Sequence, residues 1–128
     1  MTGPEKTFER KVKRYLDTKG IWYLKTWSNG IQREGTPDIL ACVRGHFIGI
    51  ELKADGGHPS DLQLRTIRQI RKAGGVAIVL YPEDFEDFMK YIERFFYLTF
   101  PKSVFERQYD FDQALTEKER KILYGTGQ

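Results

Sequence analysis

The chain has 128 residues, 40% hydrophobic and 14% aromatic, which suits one folded domain and excludes a disordered chain. Its single cysteine excludes an intramolecular disulfide, and no signal-peptide core or long apolar run is present, so we expect a cytoplasmic protein with no membrane attachment. The net charge of +3 is compatible with a polyanionic partner but is weak evidence for one.

The first predicted elements are a helix and a strand. Thr2-Gly3-Pro4-Glu5 is typical of a capping box with an early proline, and Gly20 ends the helix. Apolar residues recur between them at helical spacing: Phe8, Val12, Tyr15 and Leu16. Residues 21–27 are rich in aromatic and β-branched side chains, which favours a strand, and residues 28–36 are interpreted as a loop.

A β-hairpin is predicted next. Residues 38–43 and 46–53 are strand-like runs separated by Arg44-Gly45, a plausible two-residue turn. Both faces of these strands are largely apolar, so we expect the hairpin to lie in the middle of a sheet that is covered on both sides.

The second half of the chain predicts a helix, a strand and a helix. A capping box at Ser60 begins a helix that ends at Gly74-Gly75, residues 76–80 form a short buried strand, and a third helix follows Pro82. The predicted fold is therefore an α/β domain with a mixed sheet flanked by helices, in the order α-β-β-β-α-β-α plus a C-terminal tail.

The tail is less regular. We expect residues 1–97 to form the main domain, and residues 98–128 a C-terminal extension packed on that domain or at a dimer interface. A short final helix is predicted from Thr116. The aromatic residues between Phe95 and Phe111 are suited either to stacking on bases or to a subunit interface, and the interface is favoured.

The hairpin carries the chemically informative residues. A two-residue turn at Arg44-Gly45 places Asp38 opposite Glu51, with Cβ atoms about 4.5–5.5 Å apart. Lys53 lies two positions beyond Glu51 and therefore points to the same side.

Two carboxylates so close need a counter-charge, because burying each uncompensated ion costs several kcal/mol. Magnesium accepts one or two carboxylates with waters and phosphate oxygens, and it activates water for phosphoryl transfer. A structural Asp–Lys–Glu cluster without catalysis is the alternative. The apolar strands around the charges favour the metal site, because a structural cluster is expensive there.

Two further polar residues are candidates. Gln63 lies on the inner face of the second helix, where it is suited to orienting water or the metal shell. The alternative is a capping-box glutamine that bonds back to Ser60, and we expect one side chain not to do both. Glu9 lies on the inner edge of the first helix. It is either a third acidic group that binds the metal or a surface residue that pairs with Lys13 at i+4.

The order of these residues resembles a known family. The chain contains, in order, Gly35-Thr36-Pro37-Asp38, Glu51-Leu52-Lys53, a helix glutamine at Gln63 and Lys72-Ala73-Gly74-Gly75. This series of motifs resembles that of the PD-(D/E)xK nuclease superfamily. Within it, the virus-type replication-repair nuclease (VRR-NUC) domain, including its small stand-alone phage forms, is most similar. The likeness covers about residues 5–82.

The resemblance implies a restriction-endonuclease-like core and a set of functional residues. It implies that Mg²⁺, or Mn²⁺ as a possible substitute, is bound by Asp38, Glu51, the Leu52 main-chain carbonyl and Glu9. Lys53 then corresponds to the catalytic lysine and Gln63 to its supporting glutamine.

The implied activity is hydrolysis of DNA phosphodiesters. The implied substrate is branched DNA, such as a four-way junction, in replication, recombination or repair, cut by a homodimer in the cytoplasm of a bacterium or a phage-infected host. The alternative is a non-catalytic DNA-binding module with the same fold. The basic residues expected to contact DNA phosphates, or else to form solvated helix faces, are Arg10, Lys13, Arg14, Arg33, Arg65 and Arg68.

Overall fold

The computed structural model describes residues 3–27, 34–96 and 116–118. The chain divides into two compact units, Met1–Phe96 and Tyr97–Gln128. In the second unit only residues 116–118 are described, and Glu117 and Lys118 are helical. The aromatic tail beyond Phe96 and the predicted capping residue Thr2 lie outside the described residues.

The predicted order of elements is confirmed in the first unit. The helices are α1 (Gly3–Thr18), α2 (Asp61–Lys72) and α3 (Phe85–Phe96), and a single 3₁₀ turn (Pro82–Asp84) precedes α3. The strands are β1 (Trp22–Lys25), β2 (Ile39–Val43), β3 (His46–Leu52) and β4 (Val76–Leu80). The third helix buries Phe85, Phe88, Ile92 and Phe95 along one face.

The four strands form one mixed sheet in the order β1-β2-β3-β4. The first three strands are antiparallel, and β4 runs parallel to β3. Arg44 and Gly45 have φ values of 51° and 84°, so both turn residues are left-handed, as a type I′ hairpin turn requires. The predicted register is confirmed, because Ile39 pairs with Ile50 and Val43 pairs with His46.

The main core lies between one face of the sheet and the helices α1 and α3. Period-two alternation sends Ile39, Ile50 and Leu52 to this face, where each is fully buried. Burying a side chain of this size contributes roughly 1.5–3 kcal/mol. The helices contribute these residues to the same core: Phe8, Val12, Leu16, Phe85, Phe88, Ile92 and Phe95.

Helix α2 packs on the opposite face, over β3 and β4. A Cβ atom on Gly49 would lie 3.3 Å from Ile70 of α2 and 3.1 Å from Pro37, so the absence of a side chain lets both approach the strand. No helix within the described residues is long and apolar enough to cross a membrane.

The expectation that both faces of the hairpin are covered is wrong for its outer half. On the α2 side, Trp22 of β1 is 64% exposed and Phe47 of β3 is 46% exposed, and Cys42 pairs with both of them in the sheet. The reason is that α2 has only 12 residues and packs on β3 and β4. Apolar composition of a strand does not reveal how far a helix extends across the sheet.

Candidate active site

Asp38 is fixed at the beginning of β2 by hydrogen bonds to its main chain and its side chain. The backbone N–H of Thr26 donates to the Asp38 carbonyl over 2.8 Å, and the Thr26 hydroxyl donates to the Pro37 carbonyl over 2.7 Å. The Asp38 carboxylate accepts at Oδ2 from the Leu52 N–H over 2.8 Å. Strand β3 continues past the end of the β2 ladder, so this carboxylate satisfies a backbone donor that has no strand partner there.

Gly35 lies in the segment before Asp38 and packs closely against the first turn of α2. Its φ is +82°, and a Cβ atom there would lie 2.6 Å from the Leu62 carbonyl oxygen. Only glycine combines this backbone conformation with so close an approach. The glycine therefore holds the loop that carries Asp38 against the helix that carries Gln63.

Glu51 is the most buried charged residue described, with 2% exposure. Its Oε1 accepts a hydrogen bond from Gln63 Nε2 over 2.8 Å and lies 3.7 Å from Lys53 Nζ. Its Oε2 is buried, and no hydrogen-bond donor faces it in the described part of the chain. Burial, followed by the nearby Asp38 carboxylate, raises the pKa of Glu51 to about 8 against the opposing effect of Lys53 and Lys25.

Gln63 makes both a capping-box hydrogen bond and a hydrogen bond to Glu51, two contacts that the sequence-based prediction treated as exclusive. Its Oε1 accepts from the Ser60 backbone N–H over 2.7 Å, which completes a capping box, and its Nε2 donates to Glu51. The expectation that one side chain would not do both was wrong, because a primary amide has an acceptor end and a donor end. Ser60 N–H can only donate, so it fixes the amide orientation that points Nε2 at Glu51.

Lys53 follows the last residue of β3 and lies beside Glu51, as the register predicts. Its backbone N–H donates to the Leu80 carbonyl over 3.1 Å, which extends the pairing between β3 and β4. The side chain is half-buried, so its amine adjoins both the carboxylate and the solvent. The structure thus brings together Asp38, Glu51, Lys53 and Gln63.

Lys25 is the residue at this site that sequence reasoning missed. It is the last residue of β1, and its Nζ lies 2.8 Å from Glu9 Oε1 and 3.5 Å from Asp38 Oδ1. Burial lowers its pKa, but the hydrogen bond to Glu9 and the charges of Asp38 and Glu9 outweigh this effect and raise the pKa above its usual value. Only the register of β1 on β2 would have revealed it, and the loop between these strands does not fix that register.

Glu9 is close to the site but separated from Asp38 by the Lys25 ammonium. It is 7% exposed, and its Oε2 also lies 3.7 Å from Lys13 Nζ, the predicted i+4 partner. Within residues 3–27, 34–96 and 116–118, no three side chains from His, Cys, Asp and Glu are grouped as a metal site requires. Glu9 therefore does not join Asp38 and Glu51 around one common point.

The donor atoms around Glu51 fit a hard divalent cation. Glu51 Oε2 is a buried carboxyl oxygen with no described donor, which is costly unless a cation or a proton satisfies it. The Asp38 carboxylate lies next to Glu51. Leu52 directly follows Glu51 and donates its N–H to Asp38, so the Leu52 main chain also lies at the site. Two carboxylates and a carbonyl, with remaining positions for water and phosphate, are ligands that Mg²⁺ accepts.

The predicted DNA-contacting residues lie on both helical layers. Arg10 and Arg14 of α1 and Arg65 and Arg68 of α2 are exposed. Lys13 is half-buried and paired with Glu9, and Arg33 lies outside the described residues. Because α1 and α2 pack on opposite faces of the sheet, the exposed arginines occur on both sides of it.

Comparison with known proteins agrees with this geometry. The family model described as archaeal Holliday junction resolvase (Hjc) matches residues 5–82. A solved structure titled "VRR_NUC domain" superposes with a TM-score of 0.60 and 28% sequence identity, covering 72% of this chain and 97% of the other. No curated protein sequence matches the chain.

The fold and the clustered Asp-Glu-Lys residues define a restriction-endonuclease-like nuclease, a hydrolase that binds DNA. The match over residues 5–82 identifies the chain as a member of the archaeal Holliday junction resolvase (Hjc) family, and thus as a nuclease acting on junction DNA. The predicted likeness to VRR-NUC domains and the predicted fold are both confirmed.

Proposed function

We propose that this protein is a divalent-metal-dependent endodeoxyribonuclease that hydrolyses phosphodiester bonds of branched DNA, such as four-way junctions, in replication, recombination or repair. The observation that carries the proposal is Glu51, a buried carboxylate beside Asp38 whose Oε2 has no donor among the described residues. Residues 1–97 are the catalytic domain and residues 98–128 an extension of it.

The metal ligands in this proposal are the carboxylates of Asp38 and Glu51 and the main-chain carbonyl of Leu52. The ion is Mg²⁺, for which Mn²⁺ is a substitute. When bound, it lowers the pKa of the attacking water and stabilises negative charge on the phosphoryl group.

Lys53 and Gln63 act beside that centre. The Lys53 ammonium, 3.7 Å from Glu51 Oε1, orients the attacking water and the scissile phosphate through its remaining hydrogen-bond donors. Gln63 holds the Glu51 carboxylate in one orientation through its 2.8 Å hydrogen bond. The water oxygen forms the new bond to phosphorus, the bond to the sugar oxygen breaks, and the water proton leaves to solvent while the leaving oxygen is protonated.

The DNA backbone is held in this proposal by basic residues on the helices. Exposed arginines on α1 and α2 neutralise phosphates, which positions the duplex arms without reading their sequence. The proposed contacts are Arg10, Lys13, Arg14, Arg33, Arg65 and Arg68.

A homodimer is part of the proposal, because resolving a four-way junction needs a cut in each of two strands. The uncovered half of the sheet, which we call the outer sheet patch, consists of Trp22, Leu24, Leu40, Cys42 and Phe47. None of these side chains is charged, so the patch suits a second copy of this chain rather than a phosphate backbone. A two-fold axis would place the same patch on both subunits.

The deciding experiment measures cleavage of linear, flapped, splayed and four-way DNA with Mg²⁺, with Mn²⁺ and with a chelator. We expect metal-dependent cleavage of the branched substrates, lost in Asp38→Asn and Lys53→Met while DNA binding is retained. Tight binding without cleavage in either metal would instead establish a non-catalytic DNA-binding module.

A further inference from the structure

Lys25 lies where a second cation would have to bind in this site. Two-metal nuclease sites hold their ions about 3.5–4 Å apart with a shared carboxylate between them. Here Asp38 lies next to Glu51 on one side and contacts Lys25, the partner of Glu9, on the other. The space between Asp38 and Glu9 contains the Lys25 ammonium, 3.5 Å from one carboxylate and 2.8 Å from the other.

The surroundings keep this ammonium in place. Lys25 is the last residue of a strand paired with β2, so its backbone is fixed relative to Ile39 and hence to Asp38. Glu9 comes from α1, on the buried side of the sheet, and is 7% exposed. The only other cation described beside Glu9 is Lys13, which is 3.7 Å from its Oε2 and lies on the more exposed side.

We propose that Lys25 is the resident second cation of this active site, so that each chain binds one divalent ion, at Asp38, Glu51 and the Leu52 carbonyl. Glu9 then acts as the counter-ion that positions Lys25 and is not a metal ligand. A divalent ion between Glu9 and Asp38 would have to displace the ammonium or bind against its repulsion. Lys25 stabilises negative charge near Asp38 without needing a second metal.

This inference rests on the proposed metal-dependent function, and metal stoichiometry separates the two. Calorimetric titration of Mn²⁺ into the full chain should give one ion per chain for wild type. Removing the ammonium in Lys25→Met should open the second position, giving two ions per chain, and Lys25→Met with Glu9→Gln should return the count to one. Lys13→Met, which removes the other lysine paired with Glu9, should keep one ion per chain.

A second measurement covers the case in which Lys25→Met folds poorly. Without metal, Lys25→Met leaves Asp38 without its lysine partner and Glu9 with only Lys13, so we expect a lower Tm than wild type in chelator. Saturating Mn²⁺ should raise that Tm more than it raises the wild-type Tm, because two ions bind instead of one. Lys25→Arg keeps a cation and should retain one ion and the wild-type response.

The outcomes are distinct. Wild-type protein that binds two ions per chain, or a folded Lys25→Met that still binds one, overturns the inference and leaves the nuclease proposal intact. A Tm gain in Lys25→Met equal to the wild-type gain also counts against it. If the wild-type protein binds no divalent ion, the proposed metal-dependent function is itself contradicted.

Discussion

The side-chain amide of Gln63 donates to the buried Glu51 carboxylate over 2.8 Å while its oxygen accepts from the Ser60 backbone over 2.7 Å. The same residue thus caps the N-terminus of α2 and orients a proposed metal ligand. Because the capping bond fixes the amide, the donor at Glu51 needs no further reorganisation before a reaction.

Two variants separate these two roles of Gln63. Gln63→Glu preserves the capping acceptor but places a second carboxylate at Glu51, so we expect cleavage to fall about 10- to 100-fold with little loss of helix stability. Ser60→Ala keeps the Glu51 contact and removes only the Ser60 hydroxyl, so we expect a loss of about 1 kcal/mol in unfolding free energy with near-normal cleavage. Equal effects of both variants on cleavage would contradict the assignment.

The stability of the metal-free protein should depend on the Glu51 proton. The folded-state pKa of Glu51 is raised to about 8 from its ordinary 4.5, so the folded state binds this proton more tightly than the unfolded state does. The associated stability is present below the ordinary pKa and is lost as pH rises toward 8. We expect the Tm in chelator to fall over this interval.

Glu51→Gln is the matched control for that titration. It retains an acceptor for Gln63 and cannot ionise, so the Tm decrease between about pH 5 and pH 8 should shrink relative to wild type. Saturating Mg²⁺ should oppose the decrease in wild type, because the ion binds the ionised carboxylate and releases its proton. Identical pH profiles for wild type and Glu51→Gln in chelator would show that another group causes the change.

Gly35 should be intolerant of any side chain. Gly35→Ala introduces a Cβ atom 2.6 Å from the Leu62 carbonyl oxygen, in addition to the backbone strain at φ +82°. Strain of this kind costs about 1–3 kcal/mol, and the overlap adds to it by pushing α2 from the Asp38 loop. We expect lower stability and lower cleavage together.

Gly20→Ala provides the comparison. Its φ is +69°, but an added Cβ atom would have no neighbour within 4 Å, so it carries the strain without the overlap. Chemical denaturation of both variants isolates the effect of the close approach. A Gly20→Ala loss as large as that of Gly35→Ala would mean that the contact with α2 contributes nothing.

The proposed dimer is tested at the outer sheet patch. Trp22→Glu places a charge at a patch residue that is 64% exposed and should convert a dimer to a monomer, as measured by light scattering in solution. Leu62→Glu, an exposed apolar residue on α2 and outside the patch, should leave the dimer unchanged. A wild-type monomer at every concentration would rule out the dimer.

The order of the elements and the centre of the site follow from local patterns in the sequence. Arg44-Gly45 gives a two-residue turn, and alternation in β2 and β3 then fixes the register that places Asp38, Glu51 and Lys53 together. These relations are local, since they depend only on turn length and on the two-residue period of strands.

The way the other elements contact this hairpin depends on packing between segments that are distant in the chain. Lys25 reaches Glu9 and Asp38 only because β1 pairs with β2 in a register that the intervening loop does not specify. The dual role of Gln63 depends on the distance of α2 from β3, and the outer sheet patch depends on where α2 stops. Packing between distant segments sets these distances, and no local period in the sequence records them.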